Sequence, residues 1–136
     1  MTTKSTIGCK KTRPRELFSS LLRPMAEAGK GCSGGGCRAR ALTRLNREGM
    51  AACQSGSYEV ARRLLTEGIT LARRAGVSMY EAKLRNNLGL VHLLAARPCD
   101  AAVEFGQALD LVEGKLGREN PLFRRIAGNL KQARCI

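Results

Sequence analysis

The sequence predicts an all-α protein assembled from helical hairpins, and three observations carry that prediction. From Arg38 onward, apolar residues recur at helical spacing in five consecutive stretches divided by short breaks. No segment alternates with period two for long enough to make a strand. The stretches also match one another at a fixed offset, as units do that cannot bury an apolar face alone. Composition agrees: apolar residues make up 43% of the 136, but the aromatics are only Phe18, Tyr58, Tyr80, Phe105 and Phe123. Packing must therefore rest on Leu, Ala and Val, a mix that favours helices over sheets.

Residues 1–37 read as a basic, flexible leader. The first fourteen show no periodicity and end in Thr12-Arg13-Pro14, the pattern of a disordered tail. Over 15–28 a short helix is predicted, with Leu17, Phe18, Leu21, Leu22 and Met25 on one side and a bend at Pro24. Four glycines in residues 29–36 then make a linker, because they leave too much backbone entropy for regular structure.

The repeat domain, 38–136, is expected to hold helices at 38–54, 58–75, 79–96, 98–116 and 121–134. Ser57 and Ser78 are candidate N-caps, and Ser78 with Glu81 makes an S-x-x-E capping box. Gly76 and Gly117 suit the left-handed residue just past a helix end. Asn120 before Pro121 combines a capping side chain with a proline where no donor is required. Arg97 before Pro98 is a poorer cap. On the second helix Ala61, Leu64, Leu65, Gly68, Ile69 and Ala72 form one apolar side, and on the third Leu84, Leu88, Val91 and Ala95 do so. Connections this short make neighbouring helices run antiparallel.

Gly49, Ala52, Gly56, Tyr58, Ala61, Leu65, Gly68 and Ile69 align with Gly89, His92, Ala96, Pro98, Ala101, Phe105, Ala108 and Leu109 at a constant offset of 40. Small residues at these positions let two helix axes approach, while Leu65 and Phe105 fill the space between them. This order of small and large positions resembles the tetratricopeptide repeat (TPR) family, although its usual tryptophan is absent. The Asn86-Asn87-Leu88-Gly89 run, the Leu116-Gly-Arg-Glu-Asn-Pro121 run and Asn129-Leu130 are similar to the roughly 42-residue variety typified by kinesin light chain. The resemblance covers residues 41–136. It implies a TPR-like α-solenoid, a right-handed stack of antiparallel helical hairpins: two hairpins plus a C-terminal capping helix.

Such a stack presents a concave groove, lined here by Asn46, Met50 and Cys53, then Lys83, Asn86, Leu90 and Leu93, then Arg125. Some family members grip a C-terminal carboxylate on this face, but Met50 stands where the first repeat would need an asparagine, so that function is not carried over. The expectation is a protein-protein interaction module, an adaptor, scaffold or chaperone-like protein, that takes a peptide or helix of another protein, binding it by apolar burial around Met50, Leu90 and Leu93 with Lys83 and Arg125 attracting acidic residues. With only two full hairpins the ends are open, and self-association is a further expectation.

The formal charge of +13 favours acidic partners of any kind. A nucleic-acid-binding regulator using the leader and the pairs Arg62-Arg63, Arg73-Arg74 and Arg124-Arg125 is therefore the alternative. Leu71 to Ser78 followed by Glu81 to Asn87 also resembles the helix-turn-helix of lac-repressor-type DNA-binding proteins, but the positions that seat the second helix would be Ala82 and Arg85, a small residue and a charge.

Enzyme chemistry has no visible constellation, and no cofactor is expected. His92 is the only histidine and reads as a packed neutral side chain; Gly34-Gly35-Gly36 lacks the Gly-Lys-Ser/Thr ending of a phosphate loop. The six cysteines contain no C-x-x-C pair, so structural zinc is not expected; Cys32 and Cys37 read as reduced thiols in a loop, and Cys53 and Cys99 as small core residues. No apolar run approaches the ~20 residues of a membrane span. The basic, Ser/Thr-rich leader shares its composition with transit peptides and with disordered tails; the reading taken is a cytoplasmic protein with a basic tail.

Overall fold

The computed structural model describes residues 36–134, and these are all-helical, with no strand. Five helices follow one another: α1 (Gly36–Gln54), α2 (Tyr58–Arg74), α3 (Ser78–Leu94), α4 (Pro98–Leu116) and α5 (Pro121–Arg134). The helix expected over 15–28, most of the linker, and Cys9, Cys32 and Cys135 lie outside the described residues. Helix α1 starts two residues earlier than expected: Gly36 and Cys37 belong to its first turn, where the Gly36 carbonyl accepts a bond from Arg40 Nε at 3.2 Å.

The first three breaks share one design. The N–H groups of Ser57, Val77 and Arg97 reach back to the carbonyls of Ala52, Ala72 and His92 at 2.9, 3.0 and 2.8 Å. The residue before each, Gly56, Gly76 or Ala96, has φ of 81°, 70° or 60°. This is the Schellman stop, which satisfies orphan carbonyls and requires a left-handed residue. Ala96 fills that position with a Cβ, which costs about 1–2 kcal/mol in this region. Ala96→Gly is therefore expected to stabilise the fold by about 0.5–1 kcal/mol, after the greater entropy of unfolded glycine is set against the relief; urea titration measures it. Gly117 also has a positive φ, 75°, but its ψ of 174° is extended rather than left-handed helical, so it ends α4 without the same bond pattern.

The caps differ from expectation. Ser57 makes no side-chain bond to the start of α2, and α3 begins one residue earlier than predicted, with Val77 at its N-cap. The Ser78–Glu81 box is not formed, because Glu81 is drawn to Arg85 and Arg73 instead. Asn120 does cap α5: its Oδ1 accepts from the Leu122 N–H at 2.9 Å.

Close approach at glycine sets the helix pairs. A Cβ added at Gly49 would lie 2.9 Å from Leu65 Cγ, and one added at Gly89 would lie 2.5 Å from the Phe105 ring. Positions 40 apart in sequence thus meet equivalent partners, α1 on α2 and α3 on α4. Gly68 repeats the device across the break, against Leu84 of α3. Pairs such as Gly49–Leu65 and Leu45–Gly68 run in opposite chain directions, so α1 and α2 are antiparallel.

Two apolar clusters result. Leu42, Leu65, Ile69, Leu84 and Leu88 belong to one between α1, α2 and α3; Leu90, Phe105, Val112 and Ile126 belong to the other between α3, α4 and α5. Helix α3 serves both, and packs against all four other helices. Ten of its residues are buried, and so it lacks a single apolar stripe. Cys53 is buried as expected, but Cys99 is exposed. It sits in the first turn of α4 at the position equivalent to exposed Glu59.

Candidate functional site

Helices α1, α3 and α5 lie side by side, joined by a repeated polar step. Asn87 Nδ2 on α3 donates to Asn46 Oδ1 on α1 at 2.6 Å, and Asn129 Nδ2 on α5 donates to Asn86 Oδ1 on α3 at 2.8 Å. Thr43 and Tyr80 share a further hydroxyl bond of 2.9 Å between α1 and α3. Contacts 43–80 and 46–87 advance together along the chain, so these two helices run parallel.

The eight predicted groove residues separate into two groups. Met50, Cys53 and Leu90 are buried, with 5%, 2% and 6% of their surface exposed, and belong to the two cores. Leu93 is half-buried against the second core. Asn46 and Asn86 are the acceptors of the asparagine steps. Lys83, half-buried, and Arg125, exposed, remain available to a partner. They occupy equivalent places, each one turn before the donor asparagine of its helix. Exposed Arg47 stands next to Asn46. Lys83 Nζ is 6.0 Å from the Tyr80 ring centroid, and neither it nor Arg47 nor Arg125 forms an ion pair among the described residues.

Charge divides between two sets of helices. Helices α1, α3 and α5 carry ten Lys/Arg against two acids, whereas α2 and α4 carry five against six. One of the two acids in the basic set, Glu81, is turned to the other side. There Arg85 Nε donates to Glu81 Oε1 at 2.9 Å and Arg85 Nη1 to Glu104 Oε2 at 3.0 Å, with Arg73 at 3.4 Å from Glu81. The sequence contained a signal for this network, the i,i+4 pair Glu81 and Arg85, but the capping box had claimed the glutamate. Asn87 and Asn129 were visible only as a 42-residue coincidence.

His92 is buried, with Asp100 and Glu104 and, more weakly, Arg97 and Arg62 acting on it. Burial lowers its pKa below the ordinary 6.5, with the two carboxylates opposing. The unfolded chain therefore takes up the proton first, so stability should be constant above pH 6.5 and fall as pH drops below it. Urea midpoints between pH 7.5 and about 5, above the range where carboxylates titrate, should show this slope, and His92→Gln should flatten it. Burial also pushes the Cys53 thiol up to about 11, which keeps it protonated and unreactive at neutral pH. Among the described residues, no three His, Cys, Asp or Glu side chains gather closely enough to hold a metal ion.

A shallow cavity of about 550 Å³ opens between the α1–α2 and α3–α4 turns, walled by Tyr58, Val60, Leu94 and Ala96. Glu59 and Arg97 face each other there at 3.7 Å and offset each other's charge. No helix among the described residues is long and apolar enough to cross a membrane. No protein-family model, curated protein or solved structure matches the chain.

Proposed function

We propose that this protein is a TPR-like binding module, a right-handed stack of two helical hairpins and a capping helix, that holds a polypeptide of another protein on the face of α1, α3 and α5. The observation that carries this reading is the repeated asparagine step. It sets three successive first helices at matching height and leaves Arg47, Lys83 and Arg125 uncommitted. A packing device that recurs with the repeat makes a continuous surface, and a continuous surface is what an adaptor or scaffold offers.

The helix-turn-helix alternative requires α3 to enter a DNA groove. That helix is enclosed by its four neighbours, and Arg85, in the reading segment, is spent on Glu81 and Glu104. End-to-end stacking of copies has electrostatics against it, since both terminal helices are basic: α1 has four Lys/Arg and one acid, α5 four and none.

Affinity capture on the full chain tests the proposal against the double charge reversal Lys83→Glu/Arg125→Glu. A polypeptide retained after nuclease treatment and lost from the variant is the expected result. Retention that vanishes with nuclease would instead favour nucleic acid.

A further inference from the structure

Resting on that reading, we infer that the guest is an extended acidic segment, with carboxylates at about every third residue, lying across α1, α3 and α5. Two independent features choose this occupant over an amphipathic helix. The first is the missing apolar floor. A helix docks by laying an apolar face into a hydrophobic groove, yet Met50 and Leu90 are spent in the cores. Among the described residues, the large apolar side chains left exposed, Val60, Val77, Val103 and Leu116, lie on α2, α4 or the α2–α3 turn, and none is on α1, α3 or α5.

The second feature is charge. The basic set of helices has the excess of ten Lys/Arg over two acids described above, and Glu81 faces away, so exposed Glu48 is the one carboxylate of these helices left outside the buried network. Arg47, Lys83 and Arg125 stand on successive helices with no internal anion to satisfy. Packed helix axes are about 8–10 Å apart, and an extended chain of the polyproline II type advances about 3.1 Å per residue and returns every third side chain to the same face. Three residues of extended guest therefore span one helix spacing, which places a carboxylate at each cation in turn. A helical guest rises only about 1.5 Å per residue and would need its acids some six or seven residues apart.

Fluorescence anisotropy of the full chain with labelled synthetic peptides of about a dozen residues tests the inference. One peptide carries Glu at every third position, a second has the same composition with its Glu gathered in one block, and a third replaces Glu with Gln. The spaced peptide should bind about tenfold more tightly than the blocked one, and the Gln peptide should bind least. Arg47→Glu/Lys83→Glu/Arg125→Glu should abolish the preference, while Arg63→Glu on α2 leaves it unchanged; circular dichroism establishes that each variant is folded. Equal affinity for spaced and blocked peptides overturns the inference, as does displacement by a short duplex DNA at equal charge concentration with the same sensitivity to the triple variant. A neutral amphipathic helix that binds in place of the acidic peptides, and is lost in the triple variant, overturns the extended acidic guest but leaves the binding-module proposal standing. Failure of every polypeptide to bind removes both.

Discussion

Replacing Phe105 with alanine should destabilise the fold by about 3–5 kcal/mol, as measured by urea unfolding, because its ring is fully buried where α4 meets α3 and little can collapse into the vacated space. The ring lies directly over Gly89, where an added Cβ would come within 2.5 Å of it. Gly89→Ala should accordingly cost about 1–3 kcal/mol through overpacking. The two effects are coupled. In a Phe105→Leu background the same Gly89→Ala change should cost distinctly less, since a leucine can move off the contact, as the equivalent Leu65 over Gly49 could. A cycle in which the two costs simply add would show that glycine 89 is not selected by the ring.

Arg85→Met should cost about 3 kcal/mol, although it exchanges a charge for an apolar side chain in the interior. The loss arises from Glu81 and Glu104, which would be left with no guanidinium between them, and breaking a buried pair on one side costs about 3–5 kcal/mol. The lower end applies because Glu104 keeps 18% of its side chain in contact with water and Arg73 still approaches Glu81. Exchanging all three together, Glu81→Gln, Arg85→Met and Glu104→Gln, should recover most of the loss. If the single and the triple variants unfold at the same urea concentration, the network has no such role.

How much could be read in advance depended on whether a residue answers to its own helix or to a remote one. The offset of 40 predicted that small residues let the helix axes approach with Leu65 and Phe105 filling the space between, because the demand for close approach is written into local residue size; the structure sets those two side chains on Gly49 and Gly89. Gly76, Gly117 and Asn120 were legible for the same reason: a positive φ or a free amide at a helix end selects its residue on the spot. The offset aligned Ala96 with Gly56, but its left-handed conformation was not read, because alanine does not advertise one. Glu81 was misassigned because a serine three residues before it offered a plausible local partner, whereas its real partner is a buried arginine.

The groove was the least legible part. Met50 and Leu90 were assigned to a binding surface on the pattern of one helix face, but Met50 of α1 is taken into the first core, and Leu90 belongs to α3, which packs against all four other helices and gives it to the second core. The sequence by itself determined the helices, their breaks and the glycine contacts between neighbours, all of which depend on interactions between residues close along the chain or matched by size. Only the tertiary structure decided that α3 is enclosed, that the asparagines are spent joining α1, α3 and α5, and that the surviving cations gather on that set of helices. Those outcomes depend on which helices become neighbours across forty residues, and no single helix's periodicity carries that information.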